Sequence, residues 1–291
     1  MTAHPFVSVI VPVYNDPDRL QLCLRALEGQ TYPPGLYEIV VIDNGSDESL
    51  APHVEESSRT LLCSEEHPGS YAARNRGLSL ARGEVIAFTD ADCIPASDWI
   101  ERGVARLLSS PDCGLVAGRV EVFAEDRERA TAVELYEMIT YLQQKKHVEV
   151  ERFGATANLF TLRSVFDRVG TFNGAMMSGG DVEWGHRVSA LGYKMLYADD
   201  AVVSHPARRT FAQLSRRVAR IVGGSYALKK IGALSLVATF LPPVRYPLAI
   251  WRDPKLKSLR ERSEAAGVAF FDRYVQAWET LRLASGRSPR R

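Results

Sequence analysis

Two carboxylates stand where a buried run of sequence meets water. The stretch EVIAFTDADC is apolar from Val85 to Phe88 and then presents Thr89, Asp90 and Asp92. The arrangement recurs: Asn15 and Asp16 follow VSVIVPV (7–13), and Asp43 and Asn44 follow EIVVI (38–42). Acids gathered at one edge repel one another unless something positive sits among them. Mg²⁺ or Mn²⁺ takes oxygen ligands and commonly shares them with substrate phosphates. A divalent cation gripping a diphosphate is the chemistry this pattern points to. Two acids one residue apart also occur on solvated turns; position at the end of a buried strand separates this pair from those.

The elements that must hold these residues alternate along the chain. VSVIVPV and EIVVI read as strands buried on both faces. DPDRLQLCLRALEGQ puts Leu20, Leu24 and Leu27 on one helical face. TLLC (60–63), EVIAFT and LVAGRVEVF (115–123) read as further strands. GSYAARNRGLSLARG reads as a helix closed by Gly83, and Ser97 as the N-cap of the next helix. This β-α-β rhythm predicts a doubly wound, mostly parallel sheet flanked by helices. In such sheets ligands bind at the carboxyl ends of the strands, where the acids lie. Beyond about residue 125, ATAVELYEMITYLQQKK reads as one helix, ATANLFTL (155–162) as a strand and RSVFDRVG as a short helix. DVEWGHRVSALG reads as a helix, YKMLYA and AVVSH as two strands, and the chain from 211 onward as mostly helical. The closing SGRSPRR reads as an unstructured basic tail.

The composition, 46% hydrophobic and 24% charged over 291 residues, is that of a globular protein with an ample core. A formal net charge of +1 gives no signature of nucleic-acid binding. Cys23, Cys63, Cys93 and Cys113 are far apart, which argues against a disulfide framework or a zinc site. MTAHPFVSVIVPV lacks the features of a signal peptide, and no apolar run reaches the roughly 18–20 residues of a membrane span. A cytoplasmic protein is expected. One segment is lopsided: no acid occurs between Asp200 and Asp253, while basic residues run from Arg208 to Arg252. That imbalance calls for an anion (phosphate, acidic lipid or acidic partner) or else for a solvated helix face. With IGALSLVATFLPPV (231–244), residues 208–252 form a candidate peripheral contact with the inner face of a membrane.

Taken in order, VSVIVPVYN, EIVVIDNGSDES, GSYAARNRGLSLARGEVIAFTDADC, GTFN and GGDVEWGHRVSALGYKMLYADDAVVSH resemble glycosyltransferase family 2, with its GT-A fold for nucleotide-diphospho-sugar transferases. The resemblance covers roughly residues 5–225. It implies that Pro12, Tyr14 and Asn15 form the first nucleotide-binding loop and that Asp43 reads the base. Arg74 and Asn75 would lie near the diphosphate. Asp90 and Asp92 form the metal-binding D-x-D, Asp90 also serving the donor. Asp181 is the implied catalytic base, and His205 matches a histidine that completes the metal shell in some members.

The residues agree with what such a reaction needs: one base for the acceptor hydroxyl and positive charge on the departing diphosphate. Asp181 opens a helix, where a carboxylate also suits the dipole and the N-cap. Glu183 is the reserve base, and Arg187 balances charge. Trp99 and Trp184 read as core aromatics. The sequence departs from the family in having Gly180-Asp181 where the pattern is Glu-Asp, which bears on acceptor contacts. No Q-x-x-R-W follows, against a processive synthase, and no pyrophosphorylase loop follows the first strand. The expectation is a GT-A domain over 1–205 and a basic helical extension over 206–291. Its reaction is inverting, metal-dependent sugar transfer from a UDP-, GDP- or dTDP-linked donor. The acceptor is an unidentified glycan, lipid or small molecule. Two alternatives stay open: transfer to a membrane polyprenyl phosphate, and a non-catalytic nucleotide-sugar-binding module.

Overall fold

A computed structural model describes residues 4–55, 57–228 and 245–288. Lys229, Lys230 and IGALSLVATFLPPV, part of the expected membrane-facing surface, lie outside the described residues, as do the last three residues of the basic tail. The chain packs as two compact units, one of residues 1–121 and 142–205, the other of 122–141 and 206–291.

The first unit is built on an eight-stranded sheet of order β3-β2-β1-β4-β7-β6-β8-β5. Its strands are β1 (Val7–Val13), β2 (Tyr37–Asp43), β3 (Thr60–Ser64), β4 (Val85–Thr89), β5 (Ile94–Pro95), β6 (Cys113–Phe123), β7 (Asn158–Leu162) and β8 (Lys194–Pro206). β1 pairs in parallel with β2 and β4, and β2 with β3. β7 runs antiparallel to β4 and β6, and β5 antiparallel to β8. The parallel half is thus the doubly wound part the alternating pattern predicts, and the directions mix beyond β4.

The run VSVIVPV is apolar at every position because both faces are covered. Val7, Val9, Val11 and Val13 enter one core with Leu20, Leu24 and Leu27 of α1 (Pro17–Glu28) and Trp99, Ile100 and Val104 of α3 (Trp99–Leu108). Ile10 enters the opposite core with Tyr71 and Leu78 of α2 (Ser70–Leu80). Val165 and Phe166 of α6 (Arg163–Val169), and Trp184 and Val188 of α7 (Gly180–Ala190), complete that second core. Both tryptophans are fully buried.

Four local expectations are corrected. α2 ends at Leu80, not Gly83. Gly83 is needed for a close approach instead: a Cβ there would lie 2.5 Å from the Ser8 backbone nitrogen. Ser97 does not cap α3; Asp98 precedes the helix and makes no side-chain cap bond, while the Ser97 carbonyl accepts from Thr31 N–H. The long helix after residue 130 is broken. α4 (Ala132–Thr140) stops, Leu142 takes a left-handed φ of 49°, and a short α5 (Gln144–Lys146) follows with a π-turn over His147–Glu151. The break falls where the chain passes between units, and the buried Gln144 side chain is claimed by the Ala155 and Asn158 carbonyls. YKMLYA and AVVSH are one strand; Asp199 and Asp200 look like a break in sequence but sit exposed along it.

In the second unit, α4, α8 (Phe211–Leu228) and the helix Leu259–Ala284 share a core of Val133, Leu135, Tyr136, Leu214, Val218 and Val268. The helix Arg245–Trp251 adds Ile250 to it. Here part of the acid-free segment finds its anions within the protein. Arg208 pairs with the fully buried Glu137 at 3.2 Å, Arg209 with Glu125 at 2.9 Å, and Arg217 lies 3.6 Å from both Glu137 and Asp272. Arg216 and Arg220 are exposed. Among the described residues no helix is long and apolar enough to cross a membrane.

Candidate active site

The strand order 3-2-1-4 makes the boundary between β1 and β4 the point where connections turn back, the place where open α/β sheets bind their ligands. The loops after β1 and β4 carry the acids into it. After β4, Asp90 and Cys93 close a tight turn, with Cys93 N–H donating to the Asp90 carbonyl at 3.0 Å. β5 follows at once and pairs with the end of β8, Ile94 opposite Ser204. That pairing carries His205 beside the turn, its Nε2 3.4 Å from Asp92 Oδ2.

Asp92, Cys93 and His205 offer ligand atoms within 4.8 Å of one another. Burial, with Asp92 and Asp90 nearby, pushes the Cys93 thiol well above its ordinary range, so sulfur contributes little to a hard-cation site. A carboxylate beside an imidazole is a donor set that a divalent cation can share. Asp16 belongs to the same electrostatic neighbourhood. Burial raises its pKa most; Arg19 opposes this and Asp92 adds to it.

Asp90 has a different partner. Arg74, on α2 and almost wholly buried, directs its NH2 group onto Asp90 Oδ1. Among the described residues the buried Arg74 Nε has no hydrogen-bond partner. The Arg74 guanidinium also lies 5.4 Å from the Tyr71 ring centre. The Tyr71 hydroxyl in turn donates to Asp181 Oδ1 at 2.8 Å. A continuous chain of contacts thus runs from the D-x-D turn to the first turn of α7.

The remaining expected site residues spread along the same edge. Pro12 is buried within β1 and Tyr14 is 61% exposed just beyond it. Asn15, at a left-handed φ of 52°, is tied to the β2 loop. Its Nδ2 donates to Asp47 at 2.8 Å and its Oδ1 accepts from Asp47 N–H at 2.8 Å. Asp43 Oδ1 accepts from Ser46 N–H at 2.9 Å. Asp43 ends β2, two strands from Asp90, roughly 10 Å at normal strand spacing. Asn75 forms a reciprocal pair with the Phe172 backbone at 2.8 and 3.1 Å. Glu183 is held by Arg187 through both carboxylate oxygens at 2.7 and 3.0 Å. Arg187 also donates to the Thr171 carbonyl at 2.7 Å.

So Asp92 and His205 come together, Asp90 pairs with Arg74 through Oδ1, and Asn15 and Asn75 act on loops. Sequence reasoning missed Tyr71, which lies 110 positions from its partner. The signal available was the glycine at 180 where the family pattern has Glu.

The mixed sheet with helices on both faces is that of the GT-A nucleotide-diphospho-sugar transferases. A mannosyltransferase from Pyrobaculum calidifontis, solved in complex with GDP-Man and Mn²⁺, superposes with a TM-score of 0.66 over 99% of this chain and 89% of its own, at 19% identity. The family described as Glycosyl transferase family 2 matches residues 8–170. The chain is 37% identical over 252 residues to the glycosyltransferase AglE of Haloferax volcanii, covering 85% of this chain and 80% of that protein. It is 28% identical over 238 residues to the pre-mycofactocin glycosyltransferase of Mycobacterium tuberculosis, spanning 77% of this chain and 47% of that one. The chain belongs to glycosyl transferase family 2 and is a glycosyltransferase acting on a nucleotide sugar.

Proposed function

We propose that the protein transfers one sugar from a nucleoside diphosphate donor to an acceptor hydroxyl with inversion, assisted by a divalent cation. The acceptor oxygen forms a bond to the anomeric carbon and the carbon–oxygen bond to the diphosphate breaks. The electron pair leaves with the nucleoside diphosphate, and the acceptor proton passes to Asp181. Asp90, Asp92 and His205 would hold Mn²⁺ or Mg²⁺, which when bound offsets charge on the departing diphosphate. Arg74 keeps Asp90 in place and adds positive charge at the same spot. Asp43, with Pro12, Tyr14 and the Asn15–Asp47 clasp, bounds the nucleoside end. The donor is UDP-, GDP- or dTDP-linked; GDP-Man is the first to test, because the structural neighbour was solved with it.

One observation carries this reading: the contact chain Asp90–Arg74–Tyr71–Asp181 joins the proposed metal turn to the proposed base. The test is a thermal-shift screen of nucleotide sugars with and without Mn²⁺, since a ligand bound only by the native state raises apparent stability. It is followed by turnover with the donor that binds. Asp181→Asn should lower turnover by roughly 10²–10⁴-fold while donor binding persists. Full turnover in that variant would remove Asp181 as the base.

A second reading concerns the acceptor. Arg216, Arg220, Phe211 and Ile221 are exposed on α8, and a basic, partly apolar helix suits an anionic membrane surface. Transfer to a polyprenyl phosphate at the cytoplasmic face of a membrane is then the expected use. Co-sedimentation with anionic liposomes that is lost at high salt would support it; equal binding to neutral and anionic liposomes would not.

A further inference from the structure

The residue before the proposed base is glycine, Gly180. The space that a side chain at 180 would need is filled from another element. A Cβ on Gly180 would lie 2.8 Å from the Tyr71 ring, closer than real side chains come. The ring is 6% exposed and packs against Phe172 at 5.6 Å and the Arg74 guanidinium at 5.4 Å. A phenol confined on three sides has little freedom to turn away. Its hydroxyl meets Asp181 Oδ1 at 2.8 Å, and Val182 N–H donates to the same oxygen at 3.0 Å. Neither bond involves Oδ2.

We propose that Tyr71 is a positioning residue for the base: it fixes the Asp181 carboxylate through Oδ1 and leaves Oδ2 to accept the acceptor proton. The proposal rests on the reading of Asp181 as base. Tyr71 and Gly180 form one device, the bare backbone of α7 at 180 making room for a phenol from α2. A proton-abstracting oxygen must be held in line with the proton it takes, and small misplacements are costly in rate. The phenol keeps its proton throughout: burial, and then the Asp181 charge, push its pKa well above the ordinary value, so it acts as a donor and not as a second base. The other charged groups nearby are engaged. Arg74 is on Asp90, and Glu183 on the same helix is held by Arg187.

The competing account is a tyrosine that merely satisfies its hydroxyl with a convenient carboxylate. Tyr71→Phe keeps the ring and removes only the donor. The assay is hydrolysis, with water as acceptor and Mn²⁺ present, of whichever UDP-, GDP- or dTDP-sugar gives the largest thermal shift. The expected result is a 10- to 100-fold fall in kcat with donor KM within twofold, and no further fall when Tyr71→Phe is added to Asp181→Asn. A Tyr71→Phe enzyme with wild-type kcat, or a loss that multiplies with that of Asp181→Asn, overturns the proposal. Should Tyr71→Phe fold poorly, a ring-fluorinated tyrosine at position 71 keeps shape and changes donor strength. A kcat that follows the phenol's acidity supports positioning, and an unchanged kcat overturns it. If wild type hydrolyses no donor, or Asp181→Asn is as active as wild type, the base reading fails first; a dead Asp181→Asn beside a fully active Tyr71→Phe sinks this inference alone.

Discussion

Arg74 and Asp90 form an ion pair in which the cation is buried and the anion, just beyond the end of β4, is partly exposed, their side chains 4% and 32% exposed. Removing one partner of a fully buried pair costs about 3–5 kcal/mol. Because Asp90 keeps part of its hydration, roughly half of that, about 2 kcal/mol, is expected for Arg74→Met. Urea unfolding should show that loss, and the double variant Arg74→Met/Asp90→Asn should recover most of it. A double variant no more stable than Arg74→Met would mean that Asp90 does not depend on the guanidinium.

Asn15 clasps two loops from a backbone conformation that L-residues other than Asn and Asp seldom adopt. Asn15→Ala loses both hydrogen bonds to Asp47 and keeps the strained backbone, for an expected cost of about 2 kcal/mol. Asn15→Gly should regain about 1 kcal/mol of it by relieving the strain alone. Both variants should raise the donor KM more than they change kcat. Steady-state kinetics and thermal melts check the two halves separately.

His205 stands beside Asp92 at the end of β8. His205→Ala should raise the Mn²⁺ concentration for half-maximal rate at least about tenfold, with the rate partly restored at saturating metal. An unchanged metal midpoint would leave His205 with a structural role only.

Asp272 is a pH probe of the second unit. Burial raises its pKa, partly opposed by Arg217 and by its bond to Gln276. A carboxyl whose folded pKa lies above its unfolded value costs stability once ionised in both states. The cost fades as pH falls through the folded pKa toward the unfolded one. Asp272→Asn should therefore melt higher than wild type at neutral pH, and the gap should close as pH is lowered toward 4. Melting curves across that range decide it; a gap that widens in acid would reverse the sign.

How much of this could be read from the residues depends on distance along the chain. The strand EVIAFT and its two acids are local, and so were the helices with a 3.6-residue apolar repeat. The acid-free segment reads as calling for an anion or a solvated helix face because a linear charge count does not see Glu125, Glu134 and Glu137, whose pairs with Arg208 and Arg209 span 71 to 84 positions. Asp90 and Asp92 look equivalent in sequence, yet one faces Arg74 and the other His205, a division created by the β5–β8 pairing. Gly83 was read as a helix stop because glycine serves there often; the backbone crowding that requires it comes from β1 and β4.

Residues 122–141 belong with the C-terminal helices although they interrupt the sheet-bearing unit in the sequence. A gene segment ending at His205 would therefore carry α4 without its lining, with Glu137 stripped of Arg208 and Arg217. A single crossover at His205 would set a relative's tail against an α4 from a different chain, so a graft of the tail keeps its buried ion pairs only if residues 122–141 travel with it.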